Sequence, residues 1–173
     1  EVLDSNTIQY TTDELKEDME ITGPAAIYLY ASIDTEDTNW IVSLRDLHPD
    51  GRQTELTKGF LKASHRAVDE AKSKPYEPFH PHLEAEPVEP DKIYKYAILL
   101  APLSNVFKTG HRIKIVISSM DHARSRDYEL APESLGRTHV PWHLCSSMTT
   151  LHKVFHDKEN PSHLLLPIIT AAA

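Results

Sequence analysis

At 173 residues, with a hydrophobic share of 40% and a charged share of 25%, the chain has the size and composition of one globular domain with its own core. No apolar run approaches the roughly 18 residues that a membrane span needs, so no membrane segment is expected. Acidic residues outnumber basic ones by 26 to 18, leaving a net charge of −8, and the basic residues are scattered, which excludes nucleic acid as a partner on electrostatic grounds.

In chain order, residues 7–12 are rich in β-branched side chains and predict a first short strand, followed by the acidic loop 13–18. Met19 and Ile21 alternate with Glu20 and Thr22, then Gly23-Pro24 punctuates the chain before the alternating run 25–32, so a second and a third strand are expected. Trp40, Val42 and Leu44 share one face of the next strand. His48-Pro49-Asp50-Gly51 then supplies turn chemistry for a hairpin, in which Pro49, Asp50 and Gly51 are structural, and residues 52–57 return antiparallel. Periodicity leaves two readings open for residues 60–72, another strand or a short helix. Five of the twelve prolines fall between Pro75 and Pro90, which predicts an extended crossover loop running over the surface.

Residues 93–100 recover strand character. After them, Asn105 to Gly110 reads as a turn whose Gly110 takes positive φ without strain, leading into a strand from Arg112. There Ile113, Ile115 and Ile117 line one face, opposite Arg112, Lys114 and Ser118, the alternation of a half-buried strand. From Asp121 to about Ser147 the alternation stops and a long irregular excursion is expected. Residues 149–156 and 163–169 supply the last two strands. Roughly eight to ten short strands, regularly spaced turns and no long amphipathic helix predict an all-β sandwich or barrel, and one long crossover among hairpins suits a jelly-roll path.

The chemistry-bearing motifs are sparse. No Gly-x-Ser-x-Gly elbow is present and no glycine-rich phosphate loop. Among the eleven histidines, His80 and His82 lie close in sequence, and His152 and His156 would stand about 13 Å apart on a strand, too far to share an ion. No metal and no cofactor are therefore expected. Trp40, beside Asp37 and Asn39, is weighed as a sugar-stacking residue in a carbohydrate-binding module against a place in the core or a domain interface. Asp121-His122 follows Ser118 and Ser119, but adjacency does not make a catalytic triad. Cys145 is alone, so no intrachain disulfide is expected, a usage that suits the cytoplasm. The chain starts at Glu1 and ends in Ala171-Ala172-Ala173, and it reads as part of something larger: a single domain over residues 1–170 and a tail over 171–173.

These residues together resemble a family. Thr22-Gly23-Pro24, the Asp37-Thr38-Asn39-Trp40 approach, Leu44-Arg45-Asp46-Leu47-His48-Pro49-Asp50-Gly51, Val106-Phe107-Lys108-Thr109-Gly110-His111-Arg112-Ile113 and Pro161-Ser162-His163-Leu164-Leu165-Leu166-Pro167 are similar, in order and spacing, to the C-terminal non-catalytic domain of X-Pro dipeptidyl-peptidases and the related cocaine-esterase and α-amino-acid-ester hydrolases. The resemblance implies a jelly-roll β-sandwich like the galactose-binding domains, attached to an α/β-hydrolase catalytic domain that carries the Ser-His-Asp triad. No triad residue falls in this chain, which would be an inactive accessory domain that packs on the catalytic domain and helps shape its cleft. After the isoleucine strand the family pattern resembles Ser-Ser-Asp-Phe-Pro-Arg where this chain has Ser119-Met120-Asp121-His122-Ala123-Arg124. Trp40, Asp121, His122 and Arg124 are accordingly the candidates for facing that partner.

Overall fold

The computed structural model describes residues 7–120 and 149–170. Two antiparallel sheets face each other. The first has the order β1-β6-β3-β4, built from β1 (Ile8–Thr11), β6 (Arg112–Ser118), β3 (Asn39–Leu47) and β4 (Gln53–Lys62). In the second, β2 (Met19–Ile33) pairs along one edge with β5 (Tyr94–Phe107) and along the other with both β7 (His152–Phe155) and β8 (His163–Leu165). Between the sheets lies one core, to which Trp40, Val42, Leu44, Ile113, Ile115 and Ile117 contribute from the first sheet and Ile27, Leu29, Tyr96, Ile98, Leu100 and Phe107 from the second. Apart from Phe107, which lies beyond a register shift in β5, these residues alternate along their strands, so the period-2 pattern is what directs their side chains inward. The architecture is an all-β sandwich consistent with a jelly roll.

Three expectations need correction. The Gly23-Pro24 break does not separate two strands: β2 runs through it as a single 15-residue strand. Ala25 pairs with Leu100 and Gly23 with Leu103, so Pro24 faces Ala101 and Pro102 across a bulge. Both prolines thus lie where the ladder skips a bond, and their missing N–H groups cost no pairing. β5 likewise continues through Pro102 to Phe107. Second, residues 60–72 contain neither a separate strand nor an α-helix; β4 extends to Lys62, a 3-10 turn occupies Ala63–His65, and the crossover begins. Third, β6 is buried on both faces. Lys114 is 8% exposed and its neighbour Arg45 on β3 is 7% exposed, and Arg45 is drawn into a polar layer with Ser43, Gln53 and Glu55.

The crossover is pinned to the outer face of the second sheet rather than hanging free. Tyr28 donates its hydroxyl to Pro75 O, and the His80 ring bridges Ala67 O and Ala97 O. Where β4 passes β5, Gly59 leaves no space: an added Cβ would stand 2.3 Å from Leu99 O.

Candidate functional site at the two ends of β3

Asp46, near the end of β3, pairs with Ile113 of β6 and shares its inward face with Leu44. Its carboxylate is almost wholly enclosed, 8% exposed, so it must find donors. The turn at residues 108–111 supplies one. His111 donates from Nδ1 to Asp46 at 2.8 Å from Oδ1 and 3.0 Å from Oδ2. Backbone bonds hold this turn: His111 N to Lys108 O, Leu15 N to His111 O and Gly110 N to Leu15 O. Gly110 takes φ 82°, which permits the tight reversal that aims His111 back at β3.

The β3–β4 hairpin supplies a second imidazole. His48 closes the turn through its own N–H to Arg52 O, while Gly51 N donates back to His48 O. The Arg52 guanidinium donates to His48 Nδ1 at 3.0 Å. A guanidinium has no acceptor, so His48 carries its proton on Nε2, 3.1 Å from Thr54 Oγ1 and 3.9 Å from Asp46 Oδ2. The two rings lie 4.4 Å apart, centroid to centroid. Beside them, the Arg52 backbone N–H donates to Asp50 and holds that carboxyl below its usual range. Pro49, Asp50 and Gly51 lie in one turn, with Gly51 at φ 84°, and Gly110 lies in the other, where an added Cβ would stand 3.6 Å from Pro49 Cγ.

Among the described residues no hydroxyl hydrogen-bonds to His111, so Asp46 and His111 form a carboxylate–imidazole pair without a nucleophile. Ser118 Oγ donates to Met120 O. Sequence inspection missed the cluster because Asp46 and His111 are 65 residues apart, and no local spacing announces a contact made through space.

The other end of β3 is apolar. Trp40 is 1% exposed, with the Tyr96 ring centred 5.3 Å away and the His152 ring 5.1 Å away, nearly perpendicular to it. It belongs to the core, the first of the two places weighed for it against sugar stacking, and offers no open ring to a sugar. His152 donates from Nδ1 to Thr150 O and accepts at Nε2 from Thr38 Oγ1, and burial keeps its pKa below the ordinary 6.5. Burial likewise pushes Tyr96 up to about 12. A groove of about 240 Å³ borders this end, lined by Ile8, Trp40, Ile117 and His152 among others. A larger one, about 490 Å³, lies between the crossover and the second sheet, with Tyr28, Glu70, Lys95 and His163 in its walls. Asp121, His122 and Arg124 fall outside the described residues, as do Cys145 and the tail at 171–173.

Comparison with known proteins places these observations in a lineage. Residues 2–165 match the X-Pro dipeptidyl-peptidase C-terminal non-catalytic domain. The chain is 29% identical over 160 residues to the cocaine esterase of Rhodococcus sp. (strain MB1 Bresler), covering 92% of this chain and 25% of the esterase. It is 32% identical over 123 residues to a putative serine esterase of Mycobacterium bovis, covering 68% of this chain and 19% of that protein. A CocE/NonD family hydrolase from Staphylococcus aureus superposes with a TM-score of 0.77 at 20% identity, covering 94% of this chain and 30% of that one. An aminopeptidase from a marine sediment archaeon, Thaumarchaeota archaeon, gives 0.72 at 23% identity, covering 96% and 26%. The chain thus spans about a quarter of the proteins it matches.

Proposed function

We propose, from the premise that this chain belongs to the family of X-Pro dipeptidyl-peptidase C-terminal non-catalytic domains, that it is the accessory sandwich of a longer serine hydrolase. It packs on an α/β-hydrolase catalytic domain of the same polypeptide and forms part of the wall of the substrate cleft. The observation that carries this reading is the extent of the match, residues 2–165, to a family that is itself non-catalytic. The names of the longer relatives, esterase and hydrolase, supply the chemistry proposed for the parent. Whether the parent cleaves X-Pro peptides, amino-acid esters or acyl esters is decided in a pocket mostly outside this chain.

The sandwich supports a particular orientation. Ile8 of β1 pairs with Ile117 of β6, so the point where the chain enters the fold and the point where β6 leaves it share one end. Asp121, His122 and Arg124 follow directly in the sequence, and they are the residues proposed to face the catalytic domain. Asp121→Ala and Arg124→Ala in the full-length hydrolase are expected to raise KM or lower the melting temperature of the catalytic domain, while the 173-residue chain carrying the same change melts as before. An equal loss of stability in the isolated chain would make these residues structural and overturn the orientation.

A further inference from the structure

We infer that Asp46, His48 and His111 form a binding site for a divalent transition-metal ion of the zinc class. Each offers one donor atom, and the three atoms lie within 4.8 Å of one another. Ligands around a four-coordinate zinc sit about 2.0–2.2 Å from the ion, hence roughly 3.3 Å apart. The observed separations from the Asp46 carboxylate, 2.8 Å to His111 Nδ1 and 3.9 Å to His48 Nε2, straddle that value and need only small side-chain rotations to meet it. Two imidazoles and a carboxylate suit zinc, cobalt or nickel rather than calcium or magnesium, which prefer all-oxygen shells.

The backbone is already committed. Asp46 is fixed by β-pairing, His48 by the hairpin bonds and His111 by the turn bonds to Leu15. The three side chains are 8%, 16% and 15% exposed, enough to shield an ion while leaving a path to it. A fourth position is left for water, the arrangement of an open rather than a closed site.

Binding requires a specific rearrangement. The ion takes the lone pair of His111 at Nδ1, so the proton there moves to Nε2. At His48 the ion takes Nε2, so the proton moves to Nδ1, which the Arg52 guanidinium now occupies. Arg52 is exposed and must swing into solvent. It therefore competes with the metal, and removing it should tighten binding.

The test uses the 173-residue chain, stripped with a chelator and titrated with Co²⁺ while visible absorption is followed, with Zn²⁺ as competitor. A single saturable equivalent displaced by Zn²⁺ is expected. His48→Gln and His111→Gln should each weaken it roughly tenfold or more, as losing a ligand demands, whereas Arg52→Ala should strengthen it and His82→Gln leave it unchanged. Far-ultraviolet circular dichroism accompanies each variant; if His111→Gln does not fold, His48→Gln decides the matter alone, since His48 sits in a surface hairpin. No saturable Co²⁺ signal, or a signal that survives His48→Gln undiminished, would overturn the assignment.

Discussion

The two ends of β3 hold the same kind of side chain in opposite environments. At one, His111 meets a buried carboxylate across two turns; at the other, His152 meets a hydroxyl, a carbonyl and the ring of Trp40, and burial depresses its pKa. The first end is held by charge-assisted hydrogen bonds that depend on turn geometry, the second by packing. What an imidazole does in this fold is set by which element comes across to meet it.

The largest effect should come from the packed end. Trp40→Ala removes a ring that is 1% exposed and should cost about 3–5 kcal/mol in urea unfolding. Next is the turn end: Gly110→Val forces a β-branched residue to φ 82° and should cost about 1–3 kcal/mol. An added Cβ there meets Pro49 only at an ordinary 3.6 Å, so the loss is conformational rather than steric. Gly110→Ala should then lose most of what valine loses, since any Cβ meets the same φ penalty, and a loss confined to valine would point to a clash of its methyl groups instead.

The ends also separate by pH. His152 has a folded pKa below its ordinary value of 6.5, so the unfolded chain binds the proton first and stability falls as pH drops below that value. His152→Gln should flatten the stability profile between pH 7 and 5, read as urea midpoints; an unchanged slope would show that His152 is not the titrating group. The smallest effect belongs to Asp18, whose carboxyl is held at about 2, below 3.8, by Lys108 and then by the Thr109 N–H. Its contribution is present above pH 4 and lost as pH falls toward 2. Asp18→Asn should therefore differ from the parent at pH 7 and converge with it near pH 2.

Strong local patterns in the sequence located much of this. The isoleucine alternation of β6 and the Pro49-Asp50-Gly51 hairpin are where expected, because a two-residue period and a turn motif are written within a few neighbouring residues. Gly23-Pro24 misled, since the same pair that ends a strand can form a bulge when its partner strand carries Pro102 opposite. Gly59 gave no turn pattern at all, yet it sits where β4 passes closest to β5. Trp40 was legible as a core position from Val42 and Leu44 on its face. The Asp46–His48–His111 cluster was not legible, because it exists only once two turns far apart in sequence are laid side by side by the sheet.

The sandwich is proposed to assist catalysis without performing it. The most direct test is turnover of p-nitrophenyl esters and X-Pro anilides by the purified 173-residue chain, with a serine-directed phosphonate as probe. The account predicts rates equal to the buffer blank and no phosphonate labelling; turnover abolished by the phosphonate would contradict it.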